Sequence, residues 1–158
     1  MEPTILCLAK MGLRAEMKLF AGIALASAIA IGAPISAEAA TIVAKVDIST
    51  QTMTVLHGGK VKYRWKVSTA RAGKVTPSGS WSAKWLSKNH RSSRYNNAPM
   101  PYSIFYNGNY AVHGTDQISR LGRPASSGCI RLHPENARVL FEMTRREGLK
   151  NTRIVVQR

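Results

Sequence analysis

Polar and apolar residues alternate along much of the chain, a pattern typical of half-buried β-strands. The alternation runs through residues 41–49, 52–56 and 60–70, and Gly58 and Gly59 form a tight-turn signal between the last two segments. These segments predict an antiparallel meander. In its third segment the apolar side chains should share one face, and they are Val61, Tyr63, Trp65 and Val67.

Residues 101–106 and 110–114 predict a second hairpin, because Asn107 and Gly108 between them favour a type I′ turn. The hairpin would place His113 near the end of a strand. Residues 87–99 are polar and without a period, which predicts a long surface loop.

A helical period occurs only in residues 134–147 of the domain. Pro134 suits the first helical position, Glu135 complements the helix dipole, and Gly148 is the expected stop. Residues 152–157 then predict a closing strand. The sum is a mostly β domain with one clear α-helix, arranged as a sandwich or a partly closed barrel.

Residues 1–39 are expected to be a signal peptide, and Met17 is a candidate true start. Lys18 precedes an apolar run of small residues, and Ala37-Glu38-Ala39 has the form that signal peptidase accepts. A retained membrane anchor is the alternative, but the run is short for a bilayer span. The sequence therefore predicts one exported domain at 40–158, located in the periplasm or cell envelope, with no stable membrane span after cleavage.

The predicted domain is strongly basic. Its formal net charge stays at +15, because the leader carries three basic and three acidic residues. Nucleic acid is one polyanion that such a charge attracts. However, no run of five basic residues occurs, and basic and aromatic residues are not interleaved as in RNA-binding segments. An anionic cell-wall polymer is the preferred partner, and nucleic acid is not expected.

Cys129 has no internal disulfide partner in the exported domain, because Cys7 leaves with the leader. An exported protein that keeps one free thiol suggests chemistry at that thiol. His113 can act as its base, Gly128 leaves room for a substrate, and the amides of residues 127–129 could stabilise an oxyanion. Arg131 lies two residues further, on the same strand face as Cys129.

Two other interpretations remain open from spacing alone. His113, Cys129 and His133 could bind a metal ion, although they lack the close ligand pairs of zinc motifs. Alternatively, Cys129 could be a small buried apolar residue near a histidine with structural hydrogen bonds.

The segment "HGT…LGRPASSGCIRL" resembles the signature of the L,D-transpeptidases, the YkuD-type catalytic domain. Their pattern is His-Gly, a loop of similar length, and then Ser-His-Gly-Cys before an apolar residue and Arg or Asn. Other similar segments are "VDISTQTMTVLHGGKV", "VSTARAGKVTPSGSW", "PMPYSIFYNGNYAVHG" and "ENARVLFEMTRREG", so the resemblance covers nearly all of 40–158. It implies a YkuD-like mostly β fold with the helix after the catalytic cysteine.

The resemblance implies that Cys129 is the nucleophile and that His113 accepts and returns the proton. It implies that the carbonyl of Gly114 orients the imidazole, and that the segment of Ser127 and Gly128 lines the oxyanion hole with the Cys129 amide. One position departs from the family pattern. Ser127 stands where the family usually has a histidine, and a serine cannot carry charge, so we expect reduced or altered handling of the donor peptide.

The resemblance also suggests substrate-binding residues. Arg131 falls close to the donor-peptide site, Met100 and Tyr102 could line the cleft, and His90 lies in a stretch that often contacts substrate in the family. Core packing is the alternative for Met100 and Tyr102, and a solvated loop position is the alternative for His90.

The implied reaction is peptidoglycan L,D-transpeptidation. A tetrapeptide stem donates the diaminopimelate acyl group to an amine, which gives a 3→3 cross-link, with no metal or other cofactor required. Water as acceptor would give an L,D-carboxypeptidase, and an outer-membrane protein would give a wall-anchoring enzyme. A non-catalytic, basic cell-wall-binding module is the alternative of another class.

Overall fold

The computed structural model describes residues 40–158, so the expectations for residues 1–39 lie outside the described part of the chain. The described chain is mostly β, with one α-helix, α1, over Pro134–Glu147 and a short 3₁₀ turn over Ile118–Arg120. In chain order the strands β1 to β9 are Ile42–Asp47, Thr52–His57, Lys60–Lys66, Gly79–Ser82, Trp85–Arg91, Pro99–Asn107, Tyr110–Gly114, Ile130–Leu132 and Thr152–Gln157.

The strands form two mixed sheets in a sandwich-like fold, which settles the choice between sandwich and barrel. The first sheet has the order β3-β2-β1-β9-β4, in which β1 and β9 are parallel and the other pairs antiparallel. The second has the order β5-β6-β7-β8, in which β7 and β8 are parallel. Both sheets contribute to one core, which includes Ile42, Val55, Ile104, Val112 and Ile130.

Helix α1 packs against β6 and β7 and closes one side of that core. Its bounds confirm the sequence prediction. His133 caps its start, where Nδ1 accepts a hydrogen bond from the Glu135 amide at 3.3 Å, and Gly148 ends it with φ of 96°. The buried face of the helix consists of Ala137, Leu140, Phe141, Met143 and Thr144.

The prediction of a loop over 87–99 is wrong for residues 87–91, because Trp85–Arg91 is strand β5. This strand pairs with β6 at the edge of the second sheet, with Ser87 opposite Ser103 and Asn89 opposite Pro101. Its side chains are exposed or half-buried, so a polar composition does not prevent pairing. Edge strands lack the clear alternation that identifies strands with one buried face.

The expected apolar face of β3 is only partly buried. Tyr63 lies opposite Val55 and Trp65 opposite Met53, and the two aromatic rings stack with centroids 4.9 Å apart. Val61 is 50% exposed, because the pairing register shifts between Val55 and Leu56. As the outermost strand of its sheet, β3 has a neighbour on one side only.

Within residues 40–158, no helix is long and apolar enough to cross a membrane.

Replacing Leu140 by Ala tests the packing of α1. The side chain is fully buried, and we expect the substitution to lower the free energy of unfolding by about 2–5 kcal/mol. Urea unfolding followed by circular dichroism measures the change. The exposed Arg146→Ala in the same helix is the control and should stay within about 0.5 kcal/mol of the unmodified protein. Equal effects of the two variants would contradict the packing described here.

Candidate active site

A cavity of about 510 Å³ opens on the second sheet and the loops that follow β5 and β7. It brings together six of the residues that the sequence singles out, although they are spread over more than forty positions. They are His90, Met100, His113, Ser127, Cys129 and Arg131.

The parallel pairing of β7 with β8 positions the central residues. His113 lies opposite Arg131 in this register, so the two side chains share one face of the sheet. Cys129 is two residues before Arg131 and therefore lies on the same face. The pairing thus places the imidazole, the thiol and the guanidinium along one wall of the cavity.

His113 is held by a hydrogen bond to its neighbour. Its Nδ1 lies 2.7 Å from the carbonyl oxygen of Gly114. A carbonyl oxygen only accepts, so Nδ1 carries the hydrogen and Nε2 of the neutral ring keeps a free lone pair. At Gly114 a Cβ would lie 3.1 Å from both Pro101 Cγ and Pro134 Cα, so the backbone here is closely packed. The ring therefore presents an unprotonated Nε2 that can accept a proton.

The electrostatic environment keeps His113 neutral. Its side chain is buried, and this burial lowers its pKa to about 4. The Gly114 carbonyl acts in the opposite direction, while the nearby Arg131 and His90 lower the pKa further. Near neutral pH, His113 is therefore able to accept a proton.

Cys129 is partly buried and packs against Met100, Phe105 and Ala111. Burial raises the pKa of its thiol, and the Ala111 amide and the charge of Arg131 only partly offset this effect. Sγ lies 3.8 Å from the Asn109 carbonyl, to which it donates a weak hydrogen bond. The site at rest therefore holds a neutral thiol and a neutral imidazole in the wall of one cavity.

Gly128 is required by both conformation and space. Its φ is 137°, and an added Cβ would lie 2.8 Å from Tyr110 Cε1 and 3.0 Å from the Val75 carbonyl oxygen. Its carbonyl accepts a hydrogen bond from Thr76 Oγ1 at 2.8 Å. Its amide donates to Ser126 Oγ at 3.0 Å, so this amide is not free for an oxyanion. Of the three amides predicted for that role, those of Ser127 and Cys129 remain candidates.

Sequence reasoning missed Arg71, which does not line the cavity itself but contacts a residue that does. Its Nη1 donates a hydrogen bond to Ser127 Oγ at 2.9 Å, across 56 positions of the chain. No local pattern marks Arg71, because the contact depends on an isolated β-bridge between Ala70 and Ser126.

The suggested substrate-binding residues divide into two groups. His90 and Met100 line the cavity, and the His90 ring lies 5.6 Å from that of Trp85 and 4.9 Å from that of Phe105. Arg131 also lines it, where its Nη1 donates to Gln117 Oε1 at 3.0 Å.

Tyr102 does not line the cavity. Its ring packs edge-on against Phe141 of α1, with centroids 5.7 Å apart. The φ of Tyr102 is +55°, which interrupts the alternation of β6. Met100 and Phe105 consequently reach the cavity side, while Tyr102 and Ile104 pack into the core. Core packing, the alternative interpretation, is what the structure shows for this residue.

The alternative metal site is not formed in the described chain. His113, Cys129 and His133 are not among any group of three possible ligands there, and His133 caps α1 instead. The alternative of a structural thiol does not account for the position of Cys129 in the cavity wall.

The fold and the site define a class of mostly β domains in which a strand-end histidine and a cysteine share one cleft. The family model described as the L,D-transpeptidase catalytic domain, YkuD, matches residues 41–156. The chain belongs to this family, as the resemblance predicted.

Solved structures have the same fold. An L,D-transpeptidase from Stackebrandtia nassauensis is 26% identical with a TM-score of 0.65, and the match covers 75% of this chain and 56% of that one. An L,D-transpeptidase from Mycobacterium smegmatis is 21% identical with a TM-score of 0.67, and the match covers 75% of this chain and 59% of that one. An L,D-transpeptidase from Xylanimonas cellulosilytica is 22% identical with a TM-score of 0.65, and the match covers 80% of this chain and 65% of that one. The match thus spans about three fifths of these structures, and no curated protein matches the chain.

Replacing His113 by Gln tests its burial as a neutral base. In the unfolded chain a histidine gains a proton near pH 6.5, whereas the folded protein resists protonation until about pH 4. Burial of the neutral imidazole therefore contributes unfolding free energy that is fully present above pH 6.5 and is lost as the pH falls towards 4. Between pH 7 and 4.5 we expect the unmodified protein to lose about 2–3 kcal/mol more unfolding free energy than His113→Gln.

Urea titrations at the two pH values measure this difference. The partly exposed His57, which contacts Glu147, provides the control variant His57→Gln. Parallel pH dependences for the unmodified protein and His113→Gln would show that His113 titrates normally in the folded state.

Proposed function

We propose that this domain is a peptidoglycan L,D-transpeptidase that transfers the diaminopimelate acyl group of a tetrapeptide stem to an amine. The observation that carries the proposal is the oriented His113, whose free Nε2 belongs to the same cavity as the Cys129 thiol. Family membership supports the reaction class. The tetrapeptide donor and the 3→3 cross-link are the specific part of the proposal.

In the first half-reaction, Sγ of Cys129 attacks the diaminopimelate carbonyl as its proton moves to Nε2 of His113. A bond forms between sulfur and carbon, and the carbonyl oxygen becomes an oxyanion that the remaining backbone amides can stabilise. The C–N bond to D-alanine then breaks, and the imidazolium protonates the departing amine. A thioester and free D-alanine result.

In the second half-reaction, an acceptor amine attacks the thioester and gives its proton to His113. The C–S bond breaks, the new amide is released, and the imidazolium returns a proton to the sulfur. An amine of a second stem gives a 3→3 cross-link. The lone thiol thus remains unpaired because it is the reagent.

We also propose that the protein works in the periplasm or cell envelope. The leader pattern over residues 1–39 supports export, and the net charge of +15 suits an anionic wall polymer.

Incubation with a disaccharide-tetrapeptide, followed by mass spectrometry, tests the proposed reaction. We expect release of D-alanine together with cross-linked dimers. Cys129→Ala should abolish both, and His113→Gln should reduce the rate by at least about 100-fold, since a positioned general base contributes that much.

The ratio of dimer to tripeptide identifies the acceptor. Dimer indicates a second stem, whereas tripeptide alone indicates water and an L,D-carboxypeptidase. If neither product forms, and the protein and Cys129→Ala bind purified wall material equally, the non-catalytic binding module is correct.

The pH profile of kcat/KM tests the resting state of the pair. The base must be neutral, so the acid limb should follow the lowered pKa of His113, near 4, and not the usual 6.5. Because burial raises the pKa of Cys129, no second rise from thiolate formation is expected below about pH 9. Initial rates of D-alanine release from pH 4 to pH 9 measure the profile. An acid limb near 6.5 would contradict the proposed state of His113.

A further inference from the structure

The backbone around Arg71 is fixed on both sides of the residue. Its amide donates to the Ser126 carbonyl at 3.0 Å, and its own carbonyl accepts from the Lys74 amide at 3.0 Å. The neighbouring Ala70 forms a β-bridge to Ser126. The guanidinium, whose Nη1 reaches Ser127 Oγ, is therefore attached to the segment that carries Cys129 and not to a free loop.

Positive charge is concentrated at this end of the cavity. Arg131 lies beside Cys129, and its hydrogen-bond partner is the uncharged amide of Gln117. Burial lowers the pKa of Arg131, and the charges of Arg120 and Arg71 act in the same direction, with Asp116 opposing them. The charges of Arg71 and Arg120 are thus both close enough to affect Arg131.

No carboxylate in residues 40–158 forms an ion pair with these three arginines. The ion pairs of this part of the chain all involve α1, and they are His57–Glu147, Arg138–Glu135 and Arg145–Glu142. Arg131 lies in the cavity wall, and Arg71 contacts Ser127 of that wall. Guanidinium groups in this position that form no ion pair are suited to bind an anion from outside.

We propose that Arg71, positioned by Ser127, binds a carboxylate of the substrate beside Cys129 and determines specificity for acidic stem peptides. Arginine binds a carboxylate through two parallel N–H donors. Ser127 Oγ accepts from Arg71, so its own hydroxyl hydrogen remains available to the same ligand. The Ser127 segment thus acquires a positive charge from a distant part of the chain.

This inference rests on the proposed function for the identity of the ligand. A tetrapeptide stem carries three free carboxylates, on its glutamate, on the second carboxyl group of diaminopimelate and on its terminal D-alanine. All three have the chemistry that Arg71 would recognise, and amidation of each in turn distinguishes them.

The kinetic test compares Arg71→Gln with Arg153→Gln. Arg153 is a matched control because its Nη1 also contacts a serine, Ser80 Oγ at 3.4 Å, and this serine, unlike Ser127, does not line the cavity. Each variant removes one positive charge. Four tetrapeptides are used: one with all carboxylates free, and one each amidated at glutamate, at diaminopimelate and at D-alanine.

For the free tetrapeptide we expect Arg71→Gln to lower kcat/KM about 10- to 100-fold, mainly through KM, as for loss of a charge-assisted hydrogen bond. For the peptide amidated at the recognised carboxylate, the decrease should be much smaller. Ser127→Ala, which keeps the charge but removes its tether, should give a smaller decrease with the same selectivity. Equal decreases for all four peptides, or equal effects of Arg153→Gln, would overturn the inference.

A second measurement does not depend on turnover. Iodoacetate is an anion and iodoacetamide is neutral, so the ratio of their alkylation rates at Cys129 reports positive charge near the sulfur. We expect Arg71→Gln to lower this ratio about threefold or more at low salt, and Arg153→Gln to leave it unchanged. Mass spectrometry of the modified protein gives both rates.

The two measurements separate the two hypotheses. A lowered alkylation ratio without any turnover would retain an anion site at Arg71 but contradict the transpeptidase function. Turnover that is insensitive to Arg71, together with an unchanged ratio, would support the function and overturn the role of Arg71.

Discussion

The parallel pairing of β7 with β8 is the constraint on which the site depends. It sets Val112 against Ile130 and His113 against Arg131, so that one strand carries the imidazole and the other follows directly from Cys129. Parallel neighbours need a long connection, and residues 115–129 supply it while also forming part of the cavity wall. A slip of one residue would turn the imidazole away from the thiol, because strand side chains alternate between faces.

Burial then determines the chemical state of the site. It lowers the pKa of His113 and raises that of Cys129, so both groups are uncharged before substrate arrives. An ion pair at rest would require two charges in a poorly solvated wall. A neutral pair avoids this, and in the proposed reaction it separates charge only as the thiol attacks, when the oxyanion also forms and can be stabilised by nearby donors.

Local patterns predicted most of the fold, and long-range contacts explain what they missed. Alternation identified the buried strands, and helix signals gave the bounds of α1, since both depend on neighbouring residues. The edge strand β5 was missed because its side chains are exposed or half-buried on both faces, so no alternation of apolar and polar residues marks it. His113 and Cys129 were recognisable from the motif, whereas Arg71 depends on a bridge between distant segments, and the position of Tyr102 depends on one unusual dihedral angle.

The outermost position of β3 has a consequence for solubility. An open strand edge offers unpaired amides and carbonyls to another molecule, and the exposed Val61 and Tyr63 would add apolar contact. Yet β3 reads KVKYRWK, with a basic residue at every second position. Antiparallel pairing of two copies along this edge would bring two such rows together, and their mutual repulsion opposes aggregation while leaving the edge accessible to an acidic polymer.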